Sequence, residues 1–139
     1  MGGTMGGVLQ IFFGAGEAKL AAEVNPVSGA RVGSGGWPEA FVAGVEGVKV
    51  YGGAEVGMRT VLDAVVPAAE ILAKEGASGE DSFASAVAAA EAGAESTRGM
   101  EASAGRANYV GTDRLQGVPD PGAKAAAVAL RAIADALGC

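Results

Sequence analysis

The pattern of hydrophobic positions predicts five helices, because apolar residues recur three and four positions apart in five separate stretches. The first helix is expected over residues 4–23, and the second begins at Trp37-Pro38, where proline suits the first turn. The third is expected over residues 59–75, with a kink at Pro67. The predicted buried side chains of these helices are Met5, Val8, Leu9, Phe12 and Phe13, then Phe41, Val42, Val45 and Val48, and finally Leu62, Val65, Val66, Ala69 and Leu72.

The second half of the chain adds two helices and a long connection. A polar start signal at residues 78–81 predicts a fourth helix that continues to about Met100. Residues 101–119 have weak periodicity, so a long ordered loop is expected there. Asp120 is placed as the N-cap and Pro121 as the first residue of the fifth helix. Its predicted apolar side consists of Val128, Leu130, Ile133, Ala134 and Leu137. Because no strand pattern is convincing, the predicted fold class is all-α.

Composition indicates one domain and narrows the chemistry. The 139 residues suffice for one ordinary domain over residues 1–139, and 24 glycines with 5% aromatic residues predict packing of small side chains. A net charge of -6 argues against a nucleic-acid partner, which would need a basic face. A nucleotide is compatible with an acidic protein, because backbone amides and a local arginine can bind phosphate.

Missing residue types exclude several mechanisms. The chain has no histidine, so its own residues cannot form a Ser-His-Asp or Cys-His site. Its single cysteine, Cys139, can form neither an intrachain disulfide nor a cysteine-based zinc site. No apolar run of about 18 residues occurs, so no membrane span is predicted and the expected compartment is the cytoplasm.

Four segments could meet an anion, and each has a plainer structural interpretation. The glycine-rich start around Thr4 offers free N–H groups to a phosphate, although such a start is more often a simple turn. The third helix start could place Thr60 or Arg59 against an anion, although a loop with an ordinary cap and a solvated Arg59 is the simpler interpretation. Arg106 suits a bidentate phosphate contact and a plain surface position equally well. The helix start at Asp120 is explained fully by capping, yet it is also an anion candidate.

Several short motifs, taken together and in order, resemble one known family. They are Gly2-Gly3-Thr4, Arg59-Thr60 with Leu62-Asp63-Ala64, Gly93-Ala94-Glu95-Ser96-Thr97-Arg98-Gly99-Met100, Ala104-Gly105-Arg106-Ala107-Asn108-Tyr109 and Pro119-Asp120-Pro121-Gly122-Ala123. This combination resembles the nucleotide-binding (L) domain of dihydroxyacetone kinases, and most closely the single-chain ATP-dependent type that includes triokinase/FMN cyclase. The resemblance covers nearly the whole chain.

The resemblance implies a barrel of antiparallel helices whose loops at one end bind ATP or ADP with Mg²⁺. It assigns Thr4 to the phosphates, Gly52 to the adenine side and Arg106 to direct nucleotide contact. The segment that closes over the nucleotide matches Asp120, Pro121 and Gly122. The implied partner is a dihydroxyacetone-binding K domain, on the same or another chain, together with a homodimer formed through that domain.

Departures from the family's pattern bear on activity. Met5 stands where the family usually has serine, and Met58 stands where it usually has aspartate. The family's magnesium-binding aspartates lie upstream of the Gly-Gly-Thr motif, so the resemblance assigns no metal ligand and no catalytic residue within this chain. The barrel is therefore expected to be incomplete at its N-terminal end, with apolar residues exposed on the first and last helices. Positioning and electrostatics provide most of phosphoryl-transfer catalysis. Without metal ligands the ATP phosphates have no bound metal ion to position them, so the chain alone is expected to be inactive.

Three hypotheses on function stay open at this point. The first is the ATP-binding part of a dihydroxyacetone (glycerone) kinase, which transfers a phosphoryl group from ATP to dihydroxyacetone. The second is a non-catalytic helical interaction module derived from that domain, which Met5 and Met58 favour. The third is a regulatory or phosphotransfer relay subunit, for which the lack of histidine is no obstacle when the relay histidines lie on other proteins.

Overall fold

The computed structural model describes residues 3–23, 36–74, 80–104, 109, 115 and 117–139. Its α-helices are α1 (Gly3–Glu23), α2 (Trp37–Gly52), α3 (Leu62–Leu72), α4 (Glu80–Ser96) and α5 (Pro121–Leu137). A 3₁₀ turn over Thr97–Gly99 follows α4 directly. No strand occurs in these ranges, so the prediction of an all-α fold is confirmed. None of the helices in them is both long and apolar enough to cross a membrane.

The starts of α2 and α5 follow signals that are visible in the sequence. Pro38 lies in the first turn of α2, where its missing N–H costs no hydrogen bond, and Gly53 ends that helix with a φ of 61°. Asp120 caps α5, since its Oδ2 accepts a hydrogen bond from the amide of Ala123 at 2.8 Å. Both predicted helix starts are confirmed.

Glycines let α1 and α2 approach each other closely. A Cβ atom on Gly44 would lie 2.7 Å from the ring of Phe12, and one on Gly16 would lie 3.1 Å from the carbonyl oxygen of Ala40. Phe12 contacts Gly44, whereas the later residue Gly16 of α1 contacts the earlier residue Ala40 of α2, so the two helices are antiparallel. The core that adjoins this contact contains Val45, Val48, Leu62, Val65, Val66 and Ala69.

Helices α3 and α4 pack through glycine and alanine residues. A Cβ atom on Gly93 would overlap the carbonyl oxygen of Asp63 and lie 3.3 Å from the Cα of Ala64. The core between α3, α4 and α5 consists of Ala64, Ala68, Leu72, Ala86, Ala90, Ala94, Ala123 and Ala127. All but one of these residues are alanine, which confirms the predicted packing of small side chains.

Ion pairs join α4 to α5 along their outer sides. The guanidinium of Arg131 donates to both carboxylate oxygens of Glu91, at 3.0 and 2.8 Å, and Lys124 donates to Glu95 at 2.9 Å. The order of these pairs shows that α4 and α5 are antiparallel. The starts of α1, α3 and α5 and the ends of α2 and α4 therefore lie at the same end of the bundle.

Some predicted boundaries and buried faces are wrong. Helix α4 ends at Ser96 rather than near Met100, because the 3₁₀ turn follows it. Phe13, expected in the core, is 65% exposed. The buried residues of α5 are Ala123, Ala127 and Ala134, whereas Val128, Ile133 and Leu137 are exposed. Of the predicted apolar side, Ala134 is buried and Leu130 packs against the core while partly exposed. Alanines fill the closest approach of α5 to its neighbours, and the other large apolar residues lie outside. The exposed Phe13 of α1 and the exposed Val128, Ile133 and Leu137 of α5 do agree with the separate expectation that the first and last helices expose apolar residues.

An open apolar groove of about 610 Å³ lies between α1 and α2. Its lining includes Phe12, Phe13, Gly16, Leu20, Trp37 and Phe41. Because Leu20 belongs to the later part of α1 and Trp37 begins α2, the groove extends toward the end of the bundle opposite to the starts of α1 and α5.

Candidate functional site

Three helix starts meet around Gly122. The methyl carbon of Met5 lies 3.3 Å from the position that a Cβ atom on Gly122 would take, and Cβ of Val61 lies 3.7 Å from it. Met5 belongs to the first turn of α1, Gly122 to the first turn of α5, and Val61 directly precedes α3. Free N–H groups and partial positive charge mark the start of a helix, so this end of the bundle suits an anion.

The buried side chain of Asp63 organises the loop over residues 53–61. Its Oδ1 accepts a hydrogen bond from the amide of Gly57 at 2.5 Å, and its Oδ2 accepts one from the amide of Thr60 at 2.7 Å. The hydroxyl oxygen of Thr60 accepts in turn from the amide of Leu62 at 3.2 Å. Thr60 and Asp63 thus form hydrogen bonds of the capping-box type just before α3. The N-cap residue of α3 is Val61, which makes no side-chain cap hydrogen bond.

The prediction of a solvated Arg59 is wrong. Its side chain is 1% exposed, and its backbone has a φ of 58°, a left-handed conformation that is unusual for a residue other than glycine. The guanidinium Nη2 donates to the carbonyl oxygen of Val118 at 2.9 Å, and Nη1 lies 3.8 Å from Oδ1 of Asp120. Helix α3 begins at Leu62 rather than at Arg59, because the left-handed residue and the hydrogen bonds of Thr60 prevent an earlier start.

The segment before α5 is also held from the side of α4. The buried hydroxyl of Thr97 accepts a hydrogen bond from the amide of Asp120 at 2.7 Å and donates one to the carbonyl oxygen of Ala94 at 2.6 Å. Arg98 donates through Nη1 to the carbonyl oxygen of Gly117 at 2.5 Å, and the amide of Gly117 donates to the carbonyl oxygen of Arg98 at 3.2 Å. Contacts from two sides therefore fix the chain where it enters α5.

The structure brings together some of the site residues predicted from the sequence. Thr4 precedes Met5 in the first turn of α1, and Met5 contacts Gly122 in the segment 120–122, which begins α5. Gly52 ends α2 at the same end of the bundle. Arg106 lies outside the described residues.

Sequence reasoning missed the roles of Arg59, Asp63 and Thr97. The spacing of Thr60 and Asp63 is a readable capping signal, so the loop geometry around them could have been predicted. No local signal pairs Thr97 with Asp120, because the two residues are 23 positions apart.

Comparison with known proteins identifies the family. Residues 1–135 match the family described as DAK2 domain. The chain belongs to this family. The triokinase/FMN cyclase of Homo sapiens is 41% identical to it over 140 residues, which cover 99% of this chain and 23% of that protein. The dihydroxyacetone kinase of Citrobacter freundii is 38% identical over 136 residues, which cover 97% of this chain and 22% of that protein.

Solved structures agree with this assignment to the DAK2 family. The dihydroxyacetone kinase of C. freundii in its native form matches 98% of this chain with a TM-score of 0.67 and 33% sequence identity. The same enzyme in complex with AMP-PNP and Mg²⁺ matches with a TM-score of 0.66. This DAK2-family chain covers 21% and 20% of those two chains, so it spans about a fifth of the length of these relatives.

The carboxylates that the structure describes do not gather into a metal site. Among the described residues, no group of three or more histidine, cysteine, aspartate or glutamate side chains could hold a metal ion. Glu95, beside the first turn of α5, is instead paired with cations. Hydrogen bonds from Arg98 and from Lys124 lower the pKa of Glu95 to about 2. The described residues at this end therefore offer N–H donors and a buried guanidinium rather than a site for Mg²⁺.

Proposed function

We propose that this chain is part of the nucleotide-binding L domain of an ATP-dependent dihydroxyacetone kinase. In this proposal residues 1–139 hold ATP while a K domain holds dihydroxyacetone. Membership of the DAK2 family supports the proposal, as do relatives named for kinase activity and the fold shared with a kinase in complex with AMP-PNP and Mg²⁺. The enzyme as a whole would transfer a phosphoryl group from ATP to dihydroxyacetone.

The observation that carries the proposal is the meeting of the starts of α1 and α5 at Gly122. A phosphate placed there would meet the amide of Gly122 on the α5 side, since the Ala123 amide already donates to Asp120, together with first-turn amides of α1. A Cβ atom on Gly122 would lie 3.0 Å from Oδ2 of Asp120 and 3.3 Å from the methyl carbon of Met5, so glycine permits the close approach of these side chains. Thr4 would add a hydroxyl from the α1 side.

The proposal uses no step through Mg²⁺, because the described residues do not fit a magnesium site. The resemblance places the metal ligands on a segment upstream of the Gly-Gly-Thr motif. Without them the charge of a triphosphate is largely unneutralised, so we expect weak binding of Mg-ATP and no phosphorylation by this chain alone.

A second candidate function is a non-catalytic helical module, and the packing of Met5 favours it. The methyl group of Met5 is 3.3 Å from the Cβ position of Gly122, so this side chain occupies part of the space in front of α5. The family's usual serine would leave that space open and would supply a hydroxyl donor.

A graft experiment separates the two candidates. This chain would replace the matching region of the C. freundii dihydroxyacetone kinase, and turnover of dihydroxyacetone with Mg-ATP would be measured for the graft and for the isolated chain. The kinase proposal predicts turnover by the graft and none by the chain alone. A folded graft that stays inactive, with or without Met5→Ser, would favour the non-catalytic module. Turnover by the isolated chain would contradict the proposed need for other segments.

A further inference from the structure

Arg59 has a left-handed backbone conformation, with a φ of 58°. Among the described residues, it is the one residue other than glycine with a positive φ. A left-handed conformation costs free energy for a residue with a side chain, so neighbouring contacts must hold it in place. Gly57, two positions earlier, has a φ of 93° that glycine adopts at no such cost.

The charge of Arg59 is buried with few partners. Nη2 donates to the carbonyl oxygen of Val118, whereas Nε and Nη1 have no hydrogen-bond partner in the part of the chain that the structure describes. Oδ1 of Asp120, 3.8 Å from Nη1, compensates the charge without completing a hydrogen bond. A buried charge with incomplete hydrogen bonding is unfavourable, and such costs are concentrated at functional sites.

The side chain of Arg59 joins two walls of the proposed site. Its backbone lies in the loop that follows Gly52, on the expected adenine side, and its guanidinium reaches the segment that enters α5. Thr97 and Arg98 hold that segment only from the side of α4. Arg59 therefore fixes the position of α5's start relative to the loop over residues 53–61.

We propose that Arg59 is a positioning residue for nucleotide binding. Its hydrogen bond to Val118 and its charge beside Asp120 set the first turn of α5 so that the amide of Gly122 faces the phosphates. The inference rests on the proposed nucleotide site, since that ligand makes the placement of α5 functional.

The test replaces Arg59 in the full chain and follows two signals. Arg59→Gln removes the charge and shortens the side chain so that it no longer reaches Val118, and ADP affinity is measured by titration with amide NMR. We expect binding about tenfold weaker, the factor that one hydrogen bond from a charged group commonly contributes. Without nucleotide, hydrogen exchange of the Ala123 amide should accelerate, because that amide donates to the Asp120 cap at 2.8 Å.

Arg131→Gln is the matched control, because it removes an arginine that pairs with Glu91 farther along α5. It should change ADP affinity by less than about twofold and leave exchange of Ala123 unchanged. Equal effects in both variants, or no effect of Arg59→Gln, would overturn the proposal. Arg59→Lys keeps the charge and should recover part of the affinity, and it carries the test if Arg59→Gln does not fold. If the parent binds no ADP, the proposed function fails, while exchange of Ala123 still decides whether Arg59 positions α5.

Discussion

Replacing Gly93 with alanine tests the closest helix contact in the molecule. The new Cβ atom would overlap the carbonyl oxygen of Asp63, and it would lie 3.0 Å from the carbonyl carbon of the same residue. These are backbone atoms, so no change of rotamer relieves the overlap and α3 must move away from α4. The alanine core between the two helices would lose contacts as they separate.

The size of the effect follows from two opposing contributions. Overpacking a well-packed core typically costs about 1–3 kcal/mol and occasionally more, and a clash with backbone belongs at the upper end. Alanine regains about 1 kcal/mol through its better helix propensity. We therefore expect Gly93→Ala to lower the free energy of unfolding by about 2 kcal/mol or more. The capping box should loosen as well, because the side chain of Asp63 holds Gly57 and Thr60.

Urea denaturation followed by far-UV circular dichroism measures this change. Gly14→Ala is the matched control, because Gly14 lies inside α1 and a Cβ atom there meets nothing within 4 Å. The control should be neutral or up to about 1 kcal/mol more stable. If Gly93→Ala is as stable as Gly14→Ala, the close packing of α3 on α4 is wrong.

Three further predictions concern the end of the bundle where α5 begins. Thr97→Val leaves the Asp120 amide without its acceptor and should cost about 1–3 kcal/mol in urea denaturation, whereas Thr97→Ser should cost less. Because the folded pKa of Glu95 is lowered from 4.5 to about 2, its carboxylate stabilises the fold above about pH 4.5, and this contribution is lost as the pH falls toward 2. Thermal melts at about pH 6 and about pH 3 should therefore differ less for Glu95→Gln than for the parent, and an equal difference would show that the pair contributes nothing. Met5→Ser should tighten ADP binding in an NMR titration, and an unchanged dissociation constant would show that Met5 does not obstruct the site.

Local signals predicted the helices and the cap of α5, because each depends on residues a few positions apart. The N-cap at Asp120 is an example, since its partner Ala123 is three residues away. The buried face of α5 could not be predicted in the same way. Hydrophobicity favours Ile133 and Leu137 for the core, yet alanines such as Ala127 fill the closest contacts between the helices.

The candidate site was predictable in part. Family motifs and helix starts pointed to Thr4 and to the segment 120–122, and the structure places the starts of α1 and α5 together through Met5 and Gly122. The burial of Arg59 could not be predicted, because its hydrogen-bond partner Val118 is 59 positions away. A charged residue in a glycine-punctuated loop is usually solvated, so only the tertiary structure shows that this one is enclosed.

Mapping the binding of ADP by amide NMR on the isotope-labelled chain tests the central claim most directly. The proposed function predicts that the largest chemical-shift changes occur at the amides of Thr4, Gly122 and Ala123, where α1 and α5 begin. Binding should be weak, but titration should move these signals progressively. The claim would be contradicted if ADP produced no change, or if the largest changes occurred at the opposite end, around Leu20 and Trp37 in the apolar groove.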